Sequence, residues 1–251
     1  MGVGRLNRNQ KIRAEEKKYH DHCYTHYSLF KPGSWLHKPV RTVMELLTQF
    51  EHRDDLKVLD LGAGNGRNSI PIAQALKMGN SKVVCVDLLE SAIAKLRLYS
   101  EEYSVTDIIE PRLSDIEHFA IEPCEYDMII AVSALEHLSS ADSLEDKLRE
   151  MESGTKIGGV NGIIIGSNIR ETMVETHDEL DPMFEVNLPT ADLLDLLDRC
   201  YGRWELQQRF VKSLEYEIVR DGRPVRLQTE CITYVVKKVE AGNGGWAWAL
   251  T

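Results

Sequence analysis

The sequence contains no apolar run approaching the roughly 18 residues that a membrane-spanning helix needs. Its first residues, GVGRLNRNQKIRAEEKK, lack the apolar core of a secretory signal. Basic residues are also in deficit, with 30 Lys and Arg against 40 Asp and Glu and a formal net charge of -10. Because nucleic-acid affinity comes mainly from cations that neutralise phosphates, this balance argues against a nucleic-acid partner. We therefore expect a cytoplasmic protein that acts on a small molecule, as a monomer or homodimer, with no membrane partner.

Cysteine is scarce and scattered. The five cysteines are Cys23, Cys85, Cys124, Cys200 and Cys231. Their spacing argues against a disulfide framework and against a zinc site built on close cysteine pairs. Histidines at positions 20, 22 and 26 lie beside Cys23, but only His22 and His26 have i, i+4 helical spacing and no carboxylate is spaced to complete a ligand set. We therefore expect no metal.

The chain does contain a regular alternation of short apolar runs and amphipathic segments. Runs at 58–61, 83–86, 108–113, 126–132 and 162–166 predict five buried strands, with helices between them. A helix over 190–200 follows, and then two strand-like segments, 204–219 and 224–236, joined by an Asp-Gly turn that is typical of a hairpin. The pattern predicts an α/β fold: a doubly wound, Rossmann-like, seven-stranded sheet that is mainly parallel and has an antiparallel C-terminal hairpin.

The two ends of the chain differ from this pattern. Residues 1–18 are polar and predict a poorly ordered or loosely docked helix. Residues 19–39 are rich in aromatics and histidine, which fits either a helix and turn packed over the domain or a lid that lines a substrate pocket. For the lid we predict substrate contacts from Tyr24, Tyr27 and Trp35. We divide the chain into an extension and lid over 1–39, a main domain over 40–240 and a tail over 241–251.

The most informative stretch is VLDLGAGNGRNS, residues 58–69. An apolar strand with one carboxylate, Asp60, stops in a glycine-rich turn that leads into a helix. Such a turn leaves bare backbone at the carboxyl edge of a sheet, where α/β proteins bind nucleotide-like ligands. A dinucleotide fingerprint would have its third glycine where this chain has Arg67, whereas the glycines here lie at 62, 64 and 66.

This spacing resembles the first motif of class I S-adenosylmethionine-dependent methyltransferases. The resemblance implies that the loop passes close to the methionine part of S-adenosyl-L-methionine and that the acidic residue positions its ammonium group or orders the loop. The implied contacts are Asp60, Gly62, Ala63, Gly64, Asn65 and Gly66. Asp60 could instead only satisfy backbone donors of the loop.

Later motifs occur in the order that this family requires. Asp87 ends the second strand, where a carboxylate can accept from both ribose hydroxyls, although it could also cap the next helix. The resemblance further implies that Leu88 packs on adenine, that Asp115 and Ile116 contact its edge, and that the fourth strand runs beneath the cofactor through Val132, Ser133 and Ala134. Asp115 could alternatively cap a turn. His137 is expected near the sulfonium as a catalytic residue, and Glu136 in solvent or in a salt bridge.

A closer resemblance, to the tellurite-resistance methyltransferases, rests on LDLGAGNGRNS and on the C-terminal DLLDLLDRC, YGRWEL and DGRPVRL segments. It implies a tellurium, selenium or sulfur acceptor, which as a soft anion needs no general base. An oxygen or nitrogen acceptor on another small metabolite stays open; it would need a base such as His137, His26 or His37. Two further alternatives are a catalytically silent cofactor-binding regulatory protein and a nicotinamide dehydrogenase.

Overall fold

The computed structural model describes residues 7–51, 53–76, 79–220 and 222–240. The predicted tail at 241–251 lies outside these ranges. Six α-helices are α1 (Arg8–His26), α2 (Arg41–Leu47), α3 (Ser69–Ala75), α4 (Glu90–Glu102), α5 (Ala141–Gly154) and α6 (Thr190–Tyr201). Short 3-10 helices occur at Trp35–His37, Thr48–Phe50 and Leu135–His137. Among the described residues, no helix combines the length and apolarity needed to cross a bilayer.

The strands of the described residues form one sheet. They are β1 (Lys57–Leu61), β2 (Lys82–Asp87), β3 (Ile109–Leu113), β4 (Tyr126–Val132), β5 (Thr155–Met173), β6 (Glu179–Leu180), β7 (Glu205–Arg220) and β8 (Arg223–Lys237). Their order is β3-β2-β1-β4-β5-β8-β7, and the two-residue β6 pairs with β5 off this path. Strands β1 to β5 pair in parallel, and β8 joins antiparallel to both β5 and β7. The predicted seven-stranded, mainly parallel sheet with a C-terminal hairpin is confirmed.

Both faces of the sheet are covered because adjacent residues of each central strand point to opposite sides. Val58, Val83 and Met128 face a core that α2, α3 and α4 complete, while Leu59, Val84 and Ile129 face a second core completed by α5 and α6. Strands that are buried on both faces read as continuous apolar runs, which is why the sequence indicates them clearly.

The order β2-β1-β4 also locates the functional edge. The chain runs from β1 outward to β2 and β3 and then returns to the other side of β1 as β4. Loops that leave β1 and β4 therefore diverge, and a crevice opens between them at the carboxyl ends of the strands.

Two elements differ from their predicted extent. The strand predicted at 162–166 is the middle of β5, which runs for 19 residues and pairs with most of β8. Within the segment predicted as a poorly ordered or loosely docked helix, residues 8–18 belong to the 19-residue α1, which has an Asn7 capping box and is docked through buried Ile12 and the Arg13–Asp115 ion pair. Its polar composition hid it from a search for apolar periodicity, because its buried residues are only Ile12, Cys23 and Tyr24.

A buried hydrogen-bond chain holds α6 to the sheet and provides a stability test. The Tyr201 hydroxyl donates to the Leu148 carbonyl at 3.2 Å and accepts from Asn161 Nδ2 at 3.1 Å. We expect Tyr201→Phe to lower the free energy of unfolding by about 1–3 kcal/mol, because it leaves a buried donor and acceptor unpaired. Urea unfolding monitored by circular dichroism measures this. Tyr216→Phe at a half-exposed position is the control, and equal urea midpoints for the two variants would contradict the expectation.

Candidate active site

The glycine loop after β1 is held tightly against β2. The backbone N–H groups of Gly62 and Ala63 both donate to the Val86 carbonyl, at 2.9 and 3.0 Å. Gly62 has a φ of +74°, and a Cβ there would lie 2.4 Å from the Cβ of Ala134 after β4. A side chain at this position is therefore excluded both by backbone conformation and by space. The loops after β1 and β4 meet at this contact.

Asp87 fixes the next part of the loop. One carboxylate oxygen accepts from the Gly64 N–H at 2.8 Å, and the other accepts from the Leu89 N–H at the start of α4 at 2.9 Å. Burial raises the pKa of Asp87, although the Leu89 and Gly64 donors act in the opposite direction. Each oxygen keeps a further lone pair, so the carboxylate can also accept from a ligand. The N-cap residue of α4 is Leu89, without a side-chain cap hydrogen bond, so the alternative prediction of Asp87 as the helix cap is wrong.

Asp60 lies beneath the loop and is buried. It accepts from the Ser69 hydroxyl at 2.5 Å, which ties β1 to the first turn of α3. Burial raises the pKa of Asp60 to about 7, against the lowering effect of the Ser69 hydrogen bond. Its partner is thus a side chain of α3 rather than a loop backbone donor, and this contact orders the end of the loop.

Asn65 provides the test of whether the loop suits a ligand. The side chain is 1% exposed, and neither its amide nitrogen nor its amide oxygen has a hydrogen-bond partner within the described part of the chain. Buried polar groups are nearly always paired, so an orphaned amide in a ligand loop indicates a missing partner. The Asn65 amide has both a donor and an acceptor, so it can pair with the carboxylate and the ammonium of a free amino-acid moiety. The methionine end of S-adenosylmethionine presents these two groups.

The predicted adenine residues follow β2 and β3. Asp115 accepts from the Glu117 N–H at 3.0 Å, which is the turn cap foreseen as its alternative role, and its other oxygen pairs with Arg13 Nη1 at 2.9 Å. Ile116 is buried, whereas Leu88 is 47% exposed. Leu88 therefore offers an open apolar surface beside Asp87.

The fourth predicted motif lies where β4 leaves the sheet. Val132 ends the strand, and the Ser133 N–H donates to the Ile164 carbonyl at 2.8 Å with a φ of +49°. This turn brings Ala134 against Gly62 and starts the 3-10 helix that carries His137. The structure thus places these residues opposite the glycine loop across the crevice.

Helix α1 covers this crevice with one face. Positions 13, 16, 20 and 24 follow helical spacing, and all four side chains contact the site. The Tyr24 hydroxyl lies 2.9 Å from where a Gly64 Cβ would be, and Arg13 pairs with Asp115. Arg13, Glu16 and His20 are functional candidates that sequence reasoning missed, and the signal that could have found them is their spacing to Tyr24.

A chain of ionisable groups runs under α1. Arg13 Nε lies 3.6 Å from Glu185 Oε1, and Glu185 Oε2 lies 3.1 Å from His137 Nδ1. On the other side of the imidazole, His137 Nε2 lies 3.8 Å from Glu16 Oε2, which in turn is 3.4 Å from His20 Nε2. Burial would raise the pKa of Glu16, but its hydrogen bond with His20 and the charge of His137 lower it.

The predicted lid residues separate into two groups. Tyr24 is buried at the loop, and Trp35 packs edge-on against His20 and under the Arg67 guanidinium. Tyr27 is 36% exposed and lies against Gly33 in the turn after α1. The structure therefore brings Tyr24 and Trp35 to the site and leaves Tyr27 at that turn.

Glu136 departs from its predicted environment. It is only 4% exposed, so the expectation that it lies in solvent is wrong. The 3-10 helix after β4 turns it toward Gly166 of β5, whose N–H lies 3.4 Å from its Oε1. Across the described residues, no group of three or more His, Cys, Asp or Glu side chains has the arrangement of a metal site.

The chain matches a family model and several solved structures. Residues 58–159 match the model of a methyltransferase domain, and a search of curated proteins finds no match. TehB from Haemophilus influenzae is similar in structure with a TM-score of 0.59 and 22% identity, over 78% of this chain and 61% of TehB. An S-adenosylmethionine-dependent methyltransferase from Methanosarcina mazei has a TM-score of 0.54 and 16% identity, over 81% of this chain and 100% of its own.

A third structure extends the similarity over nearly the whole chain. The 1,6-didemethyltoxoflavin-N1-methyltransferase of Burkholderia thailandensis, solved with S-adenosylhomocysteine, has a TM-score of 0.54 and 13% identity, over 95% of this chain and 94% of its own. At such identities these likenesses establish the fold. It is the fold of class I methyltransferases, and residues 58–159 of the chain match the model of a methyltransferase domain.

Proposed function

We propose that the chain transfers a methyl group from S-adenosylmethionine to a small-molecule acceptor in the crevice between the glycine loop and residues 133–137. The observation that carries this proposal is the orphaned Asn65 amide, buried in a loop whose conformation Asp87 fixes. A loop built only to connect β1 to α3 would not leave a buried amide without a partner.

The cofactor-binding roles follow from these positions. Asp87 would accept from the ribose hydroxyls, and Asn65 with the backbone of Gly62, Ala63, Gly64 and Gly66 would bind the methionine end, while Asp60 keeps the loop in place. Leu88, Ile116 and Asp115 would contact adenine. Val132, Ser133 and Ala134 would form the opposite wall. Bound S-adenosylmethionine supplies an electrophilic methyl group on a sulfonium.

The protein's contribution is to align the acceptor and exclude water. Helix α1 closes the crevice through Arg13 and Tyr24, and a dry, fixed site lowers the barrier by removing solvent reorganisation. The predicted substrate contacts of Tyr24 and Trp35 remain part of this proposal, because both side chains lie beside the loop.

The charge of His137 bears on its proposed catalytic role. Burial alone would lower its pKa, but the hydrogen bond to Glu185 and the charges of Glu16 and Glu136 outweigh burial and raise the pKa to about 9. An imidazolium at neutral pH cannot accept a proton. We therefore propose that His137 acts as a fixed positive charge rather than as the general base.

Two acceptor classes have separate support. A tellurium, selenium or sulfur nucleophile is supported by the resemblance of the loop and C-terminal segments to tellurite-resistance enzymes. An oxygen or nitrogen acceptor is supported by buried carboxylate oxygens without hydrogen-bond partners near His137. A silent cofactor-binding protein would bind S-adenosylmethionine and release no S-adenosylhomocysteine with any acceptor.

The role of Asp87 can be tested by cofactor affinity. We expect Asp87→Asn to raise the Kd for S-adenosylhomocysteine by roughly 10- to 100-fold, because hydrogen bonds to a charged group contribute about 1.5–3 kcal/mol. Isothermal titration calorimetry measures the Kd. Asp142→Asn, at an exposed position of α5, is the control, and equal affinities of the two variants would contradict the assignment.

The charge of His137 can be tested by stability against pH. A pKa raised from 6.5 to about 9 adds stability below pH 6.5 that disappears as the pH rises to 9. We expect wild type to lose roughly 1–3 kcal/mol of unfolding free energy between pH 7 and 9 relative to His137→Asn. Urea titrations at each pH measure this, with exposed His118→Asn as the control. Parallel pH profiles for wild type and His137→Asn would show that His137 is neutral in the folded protein.

A further inference from the structure

Glu136 lies at the wall of the crevice opposite the cofactor loop. It is two residues after Ala134, the residue that touches Gly62, and its backbone carbonyl accepts from the Val186 N–H at 3.0 Å. The neighbouring Glu185 is therefore held beside it, and the His137 imidazole bonds to Glu185 from the same 3-10 helix. The backbone contact and the His137 bond thus bring Glu136 and Glu185, from different loops, to the same side of the crevice.

Each of these carboxylates has an oxygen without a hydrogen-bond partner. Within the described residues, Glu136 Oε2 and Glu185 Oε1 are both inaccessible to solvent and accept no hydrogen bond. The Glu185 side chain is 0% exposed, and Arg13 Nε lies 3.6 Å from the orphaned oxygen, beyond hydrogen-bond distance. Two buried acceptors without partners, both close enough to His137 to act on its charge, indicate a ligand that donates hydrogen bonds.

The surrounding charges favour a cationic ligand. Arg13 pairs with Asp115 and Glu185. His137 pairs with Glu185 and Glu16, and His20 lies beside Glu16. Glu136 adds a fourth carboxylate. An anionic acceptor would be repelled by this excess of negative charge, whereas a protonated amine would pair with it and present three donors.

We propose that Glu136 and Glu185 hold a primary amine of the methyl acceptor as its ammonium form, and that Glu136 accepts its proton. This inference rests on the proposed methyltransferase function and names the acceptor class of the same site. It assigns the proton-accepting role to a carboxylate, since both nitrogens of His137 already face carboxylates.

The step balances in protons and electrons. The ammonium gives one proton to the Glu136 carboxylate and becomes a neutral amine with a free lone pair. That lone pair forms the N–CH3 bond as the C–S bond breaks, and the bonding pair stays on sulfur to give S-adenosylhomocysteine. The product is a methylated ammonium ion, and Glu136 returns its proton to solvent. Burial raises the pKa of Glu136, which strengthens it as a base.

The test is turnover on a panel of small primary amines, small thiols, selenite and tellurite, with S-adenosylhomocysteine measured by mass spectrometry. We expect wild type to methylate amines, and Glu136→Gln to lower kcat on them by roughly 10²- to 10⁴-fold, the usual contribution of a general base. The Kd for S-adenosylmethionine should change less than about threefold, because Glu136 makes no hydrogen bond to the cofactor in this proposal. Loss of a cofactor hydrogen bond would normally change the Kd by more than this. Glu122→Gln, at an exposed position, is the matched control.

The outcomes separate this inference from the proposed function. Methylation of thiols or chalcogen oxyanions without methylation of any amine would overturn the inference and leave the methyltransferase function standing. Equal amine turnover by Glu136→Gln and Glu122→Gln would also overturn it. If no acceptor yields S-adenosylhomocysteine, the proposed function and the inference both fail. Should Glu136→Gln not fold, the acceptor preference of wild type decides the question.

Discussion

Buried charge at the carboxyl end of the sheet is the constraint on which the rest of the site depends. Removing Asp115, Glu185 and Glu136 from water is costly unless cations or hydrogen-bond donors are supplied. Helix α1 supplies much of this compensation through Arg13, and His137 supplies more from the opposite wall. The closed position of α1 is therefore an electrostatic consequence of the acidic loops beneath it, as much as a result of apolar packing.

The glycine loop is likewise held in place by contacts within the protein. Its backbone is fixed by Val86 and Asp87 before any ligand arrives, so binding requires little reordering of the loop. The buried groups left without hydrogen-bond partners among the described residues lie in Asn65, Glu136, Glu185 and His20, and those of the first three are the ones that we expect a ligand to complete. Separate parts of the crevice thus present different chemistry: an amide at the cofactor loop and carboxylates at the opposite wall.

The sequence predicts the sheet and the cofactor loop well because both depend on local patterns. Buried parallel strands such as β1 and β4 read as apolar runs, and the glycine at position 62 meets a local requirement, a φ of +74° in the turn directly after β1. The acceptor side depends on pairings between distant segments. Nothing near Glu136 in the sequence shows that Gly166 and Val186 enclose it, and nothing near Arg13 indicates Asp115. These residues could be recognised only after the chain was folded.

The span of the α1 contacts has a consequence for how the protein is made. Arg8 bonds to Asp181, 173 residues later in the chain, and Arg13 reaches Glu185. The helix is synthesised before these partners, which follow only after β1 to β5 have been made. Contacts between residues so far apart in the sequence form late. A nascent chain whose glycine loop has already formed therefore still lacks the docked helix α1 over the crevice. Assembly of the active crevice is therefore one of the last events of folding.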